Sequence, residues 1–205
     1  MTTVTELREL QTGRFAVGFS DGSEVKLSAN AVTDLGLYQG KELTDEALVE
    51  LASRVSFTKC KERALRIIGA RPMSRKELRD RLVEKGETPE NAEETVEWMA
   101  GLHYLDDEQY AGMVVRHYAA KGYGAQKIKN ELFRRGVPKE LWDAALEERP
   151  EDEETVYVLL CRKIKSDTPD RAEMKKATDA LFRRGFSWDE IKCAVNRFWD
   201  EHGRD

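Results

Sequence analysis

Long apolar runs are missing from this sequence: no stretch approaches the roughly 18 residues that a membrane-spanning helix needs. The first residues also lack the apolar segment of a secretory signal, so a cytoplasmic setting and no membrane contact are expected. Cysteine is scarce. Cys60, Cys161 and Cys193 are an odd number without a Cys-x-x-Cys spacing, which argues against a disulfide framework and a thiolate metal site. They are expected to be reduced, mostly buried thiols. The three histidines, His103, His117 and His202, are scattered, and none joins a serine or cysteine in a catalytic order. No catalytic residue, cofactor site or metal site is expected. Gly122-Tyr123-Gly124-Ala125-Gln126-Lys127 lacks the spacing of a phosphate loop and follows no strand, so it reads as a turn before a helix. Asp106-Asp107-Glu108 has no histidine to complete a ligand set and reads as a helix start.

What is abundant is charge. Of 205 residues, 36% are charged and 40% hydrophobic, with only 5 prolines to interrupt helices. This is a helix-rich composition still apolar enough to bury a core. The string Leu-Phe-Arg-Arg-Gly occurs twice, at Leu132–Gly136 and Leu181–Gly185, and a relaxed copy, Leu-Val-Glu-Lys-Gly, stands at Leu82–Gly86. The glycines are 136 − 86 = 50 and 185 − 136 = 49 residues apart. A fixed period of this size marks one supersecondary unit copied along the chain.

Residues 1–56 differ from the rest. Phe15, Val17 and Phe19 alternate with small residues, Val25 and Leu27 with charged ones, and Asp21-Gly22 lies between the two runs. That pattern predicts a β-hairpin, with Val4–Leu10 as a candidate third strand. A short helix is predicted over Ala29–Leu35, and a second, capped by Thr44, over Asp45–Arg54. From Phe57 on, apolar residues recur at helical spacing. Repeat 1 covers 57–105, repeat 2 covers 106–151 and repeat 3 covers 152–205, each of three helices. Leu78 and Leu82, Ile128 and Leu132, and Ala177 and Leu181 hold the same register before a stop glycine. Ser74–Glu77 and Ser187–Glu190 read as capping boxes. The expected fold is mainly α: three helix-turn-helix-like repeats in an elongated, curved body, behind a small hairpin-and-helix head.

Net charge is −5, but its sign alternates along the chain. Lys59–Lys85 holds 10 basic and 4 acidic residues; Glu87–Glu108 holds 8 acidic and no Lys or Arg. Arg116–Arg135 then has 6 basic and 1 acidic, and Gly136–Glu154 has 2 basic and 8 acidic. A cation before each stop glycine offsets the helix dipole, which accounts for one per helix. It leaves the second arginine of each pair, and other cations, unexplained. Arg75, Lys76, Arg79, Lys127, Lys129, Arg134, Arg135, Arg183 and Arg184 are therefore the candidate binding surface. The helix after Gly86 carries several glutamates and no cation, so it is unsuited to the major groove of DNA. The four tryptophans stand at unequal offsets from their glycines and read as packing residues.

Ala64-Leu65, Ser74-Arg75-Lys76-Glu77-Leu78 with Gly86, Tyr104-Leu105-Asp106-Asp107-Glu108, Gly122-Tyr123-Gly124 with Ile128, Leu132 and Gly136, and Arg183-Arg184-Gly185-Phe186 resemble the RecX family of recombination regulators. The resemblance covers about residues 57–201, and the head is similar to an N-terminal extension of some longer members. It implies a cytosolic bacterial protein of three tandem three-helix repeats that binds the RecA recombinase filament on single-stranded DNA. It further implies inhibition of filament growth and of the ATPase, strand-exchange and co-protease activities. A monomer is expected, with modest, salt-sensitive affinity for single- or double-stranded DNA. The competing reading is a helical protein that binds nucleic acid directly, as a transcriptional or single-strand binder.

Overall fold

The computed structural model of the chain describes residues 2–10, 13–149, 153–166 and 168–203. The expected border between repeats 2 and 3, at 151/152, lies outside them. The chain divides into two compact units, Met1–Ala70 with Arg79–Trp98, and Arg71–Leu78 with Met99–Asp205.

The first unit opens with β1 (Thr2–Glu9), β2 (Arg14–Phe19) and β3 (Glu24–Ser28), followed by α1 (Ala29–Asp34) and the short β4 (Glu42–Leu43). The sheet is antiparallel in the order β3-β2-β1-β4. Gly22 takes φ +82° in the β2–β3 turn, where the Asp21 carboxylate accepts from Ser23 N at 2.9 Å. The predicted hairpin and third strand are present. The two residues of β4 pair with Thr2 and Thr3, an addition that no local pattern announces.

Thr44 caps α2 (Asp45–Ile68), and this helix runs through residues 56 and 57 without a break. The expected separate helix over Asp45–Arg54 is thus the first half of a longer one, since no glycine or proline interrupts residues 45–68. Leu51 and Val55 bury against the sheet residues Val4, Val17, Phe19 and Leu27. Cys60 and Ala64 are the buried residues of the second half. At 3.6 residues per turn, those two pairs lie about half a turn apart around the helix. The helix changes its buried face midway, so one apolar stripe looks like two.

The first repeat continues with α3 (Arg75–Glu84) and α4 (Pro89–Gly101). Within the first unit, Cys60 Sγ donates to Asn91 O at 3.6 Å, and Arg63 pairs with Glu87 at 2.8 Å. The second repeat holds α5 (Asp107–Ala120), α6 (Ala125–Arg134), a 3-10 turn (Lys139–Leu141) and α7 (Trp142–Glu147). Tyr110, Val114, Val115, Ile128, Leu132 and Val137 form its core. The third holds α8 (Glu153–Cys161), α9 (Arg171–Arg183) and α10 (Trp188–His202), around Val156, Leu160, Leu181, Phe186, Ile191 and Phe198. Both halves of the capping box at Ser187 are made. Of the cysteines only Cys60 is buried; Cys161 is half-buried and Cys193 exposed. Trp98, Trp142 and Trp199 are half-buried, as packing residues should be, but Trp188 is exposed.

Within the second unit one joint is made twice. The stop turn after α9 closes on the start of α6: Gly124 N donates to Arg184 O at 2.9 Å, and Gln126 N to Gly185 O at 3.1 Å. The stop turn after α6 meets the start of α3 in the same way, where Ser74 Oγ donates to Arg135 O and also accepts from Glu77 N at 3.1 Å. Asp107 completes this second joint by accepting from Arg75 N at 2.9 Å, capping a helix of the preceding repeat. Burial pushes the Asp107 carboxyl up, and the Arg75 N–H opposes that shift.

Glycine is required here twice over. Gly136 and Gly185 have φ +69° and +88°. A Cβ at Gly185 would stand 2.3 Å from Lys127 N, and one at Gly136 would stand 2.9 Å from Lys76 Cβ. At Gly86 (φ +90°) nothing lies within 4 Å of that position. Gly86→Ala should therefore show only the left-handed backbone penalty, about 1–2 kcal/mol. Gly185→Ala should lose at least about 2 kcal/mol more, by the steric cost of an overpacked site, in urea unfolding of the full chain. Equal losses at the two glycines would contradict the joint.

Candidate functional site

The nine basic candidates fall into two groups. Several are committed inside the fold. Arg135 donates to Tyr110 OH at 2.8 Å and to Tyr118 OH at 3.5 Å, and its guanidinium lies 5.8 Å from the Tyr118 ring centre. Arg184 donates to Gly122 O at 3.1 Å and Lys121 O at 3.3 Å, over the Tyr123 ring. It clamps the joint between repeats 2 and 3. The side chain of Lys76 packs on Gly136, and Arg75 carries the backbone N–H that Asp107 accepts. Arg79 reaches Asp80 at 3.1 Å and Glu93 at 3.6 Å in the first unit. Lys129 reaches Asp143 at 3.3 Å, and Lys127 lies 3.9 Å from Glu131.

Two are turned outward. Arg134 has a side chain 73% exposed, with one ion pair to Glu131 at 3.1 Å. Glu131 itself is buried and also accepts from Tyr118 OH at 3.1 Å. Arg183 is exposed and makes no ion pair with any described residue. The reason lies in helix geometry: neighbours in sequence stand about 100° apart around the axis. The residue next to the stop glycine faces the joint, and the one before it faces solvent.

Sequence reasoning missed the partner of each outward arginine. Phe133 is 74% exposed and Phe182 65% exposed, at the same position of two repeats. Repeat 1 carries Val83 there, 40% exposed. A phenylalanine with no packing role in its own domain, copied with its neighbouring arginine, is an unusual use of a large apolar side chain. The signal was present in the duplicated Leu-Phe-Arg-Arg-Gly, where the Phe sits one residue after the buried Leu and so off the buried face.

Among the described residues no cluster of His, Cys, Asp or Glu could hold a metal ion, and no helix is long and apolar enough to cross a membrane. The second unit carries one Phe–Arg couplet on the last turn of α6 and another on that of α9.

Architecture and surface define a tandem three-helix-repeat protein with an antiparallel sheet at its N-terminal end. Family models described as the first, second and third three-helix domains of RecX match residues 60–99, 106–146 and 151–195. The regulatory protein RecX of Xanthomonas campestris pv. campestris (strain B100) is 38% identical over 136 residues, which is 65% of this chain and 84% of the relative. That of Clostridium perfringens (strain 13 / Type A) is 28% identical over 201 residues, 95% of this chain and 94% of the relative. A crystal structure of regulatory protein RecX superposes with a TM-score of 0.81 at 18% identity, covering 96% of this chain and all of the other, a likeness of fold. The chain belongs to the RecX family of regulatory proteins, which is a family of regulators and not of enzymes.

The division of the arginines is testable by stability alone. Arg135→Met should lower stability by about 1–3 kcal/mol, because the buried Tyr110 hydroxyl and the half-buried Tyr118 hydroxyl lose a charged donor. Arg183→Ala should change it by less than about 0.5 kcal/mol, as exposed substitutions do, and Arg134→Ala should fall between the two, because the buried Glu131 loses the nearer of its two cations. Urea unfolding of the three variants checks the order, and an Arg183→Ala loss as large as that of Arg135→Met would refute it.

Proposed function

We propose that this chain binds the RecA recombinase filament assembled on single-stranded DNA and restrains its ATPase, strand-exchange and co-protease activities. Membership of the RecX family is the observation that carries the reading. The physical features agree with it. The Phe133–Arg134 and Phe182–Arg183 couplets offer the same small contact, an apolar ring beside a cation, from two successive repeats. A filament offers the same subunit surface again and again, so a repeated contact can be matched by a repeated site.

Burying one such ring in a partner contributes about 1.5–3 kcal/mol. Two modest contacts on one chain then act together, because the second binds at high effective concentration once the first is made. Arg134 and Arg183 would meet acidic groups of the partner and fix its register. Direct DNA binding has a smaller part in this account. A net charge of −5 opposes the phosphate backbone at long range.

The test is the recombinase's ATP hydrolysis on single-stranded DNA, titrated with the full-length protein. The wild-type chain should suppress hydrolysis. Phe133→Ala/Phe182→Ala and Arg134→Gln/Arg183→Glu should each need at least tenfold more protein for the same suppression, with unfolding midpoints unchanged. Val49→Ala, at an apolar residue 71% exposed elsewhere, should match wild type. No suppression by the wild-type protein sinks the reading. Suppression undiminished in both double variants removes the couplets from the interface.

A further inference from the structure

The stop glycines give a register in which the repeats can be compared side chain by side chain. Seven residues before and after Gly86 stand Arg79 and Glu93, whose side chains meet at 3.6 Å. Seven before and after Gly136 stand Lys129 and Asp143, which meet at 3.3 Å. In both repeats an ion pair ties the second helix to the third. The same positions around Gly185 hold Thr178 and Lys192, which cannot pair. A groove of about 550 Å³ lies open between α9 and α10 there.

Two further differences shape it. α6 begins 136 − 125 = 11 residues before its glycine and α9 begins 185 − 171 = 14 before its own, one more turn. α10 runs for 15 residues where α7 has 6. The extra lengths add Arg171 and Trp199 to the lining. Met174, Ile191, Val195 and the half-buried Trp199 make an apolar floor, and Trp188, 64% exposed, stands at one end. Arg171, Lys175 and Lys192 line the rim, and none has an ion pair with a described residue. The one carboxylate among the lining residues, Asp170, is engaged as the α9 cap, accepting from Glu173 N at 2.7 Å.

We propose that this groove is a docking site for an acidic, amphipathic segment of a partner protein. An apolar trough between two helices takes the apolar face of a third helix, through side chains spaced three and four apart. Three cations that make no ion pair with a described residue select for acids flanking those anchors. A nucleic-acid strand fits less well. Bases stack on exposed flat rings, and here only Trp188 offers one, while the floor is largely aliphatic and thioether. The site belongs to repeat 3 alone, since the cross-helix pair occupies the matching place in the other two. It stands independently of the filament reading.

The experiment is a selection of random 12-residue displayed peptides on the full-length protein. It is counter-selected on Thr178→Lys/Lys192→Asp, which rebuilds in repeat 3 the ion pair of repeat 2. Enriched peptides should be net negative, with apolar residues at i, i+3 or i+4, and i+7. The best of them, made synthetically with a fluorescein label, should bind wild type at least tenfold more tightly than Thr178→Lys/Lys192→Asp or Lys175→Glu/Lys192→Glu. Both variants should keep the wild-type unfolding midpoint. No enrichment over the counter-selecting variant overturns the proposal, as does enrichment of basic peptides. A labelled dT12 oligonucleotide is measured in parallel. If it binds wild type and is lost in Lys175→Glu/Lys192→Glu while no acidic peptide is enriched, the groove is a nucleic-acid site and the proposal is wrong. The recombinase takes no part in this measurement, so its outcome does not depend on the filament reading.

Discussion

One contact sets the terms for the rest of the second unit: the carbonyl just before a stop glycine, received by the start of the second helix of the preceding repeat. A free helix N-terminus leaves N–H groups without partners, and a free C-terminus leaves carbonyls. The joint brings one of each together, and each bond adds about 0.5–1.5 kcal/mol net. It works only at contact distance. Gly124 and Gly185 approach so closely that a Cβ at Gly124 would stand 2.2 Å from Gly185 O. Glycine is therefore fixed on both sides of that joint. The other joint makes the same connection with a serine hydroxyl in place of the donating Gly124 N–H, and an aspartate carboxylate in place of the accepting Gly185 carbonyl.

The joint also determines what the paired arginines do. Docking the stop turn draws the nearer residue inward, so Arg135 reaches the tyrosines of its own repeat and Arg184 the carbonyls of the repeat before. The farther residue is left in solvent, together with the phenylalanine that precedes it. A string that looks uniformly basic thus separates into a structural cation and an exposed Phe–Arg couplet. Most of the other basic candidates are neutralised by nearby acids, as with Arg79 and Glu93 or Lys129 and Asp143. Such exposed pairs add little stability, and the matching positions of repeat 3, Thr178 and Lys192, carry none.

Much of the fold could be read from local chemistry. The stop glycines, the helix start at Asp106-Asp107, the capping box at Ser187 and the Asp21-Gly22 turn are decided within a few residues, and each is where its pattern places it. What escaped depends on distant partners. β4 is two residues long and exists because β1 is beside it. The length of α2 was hidden because its buried face rotates midway. The roles of Arg134 and Arg135 could not be separated by composition, since the two are identical and differ only in direction around the helix. The −7/+7 pairing around Gly86 and Gly136 was legible in principle, as equal spacing of opposite charges about each glycine. Its absence around Gly185 was legible in the same way.

The central claim is that the joint leaves the Phe–Arg couplets for a partner and that the partner is the recombinase filament. Photo-cross-linking tests it most directly, with p-benzoylphenylalanine placed singly at positions 133 and 182 and, as control, at 49. Irradiation on the filament should give adducts to recombinase subunits from 133 and from 182, and none from 49. Adducts from 49 alone, or from 133 and 182 to DNA only, would contradict the account.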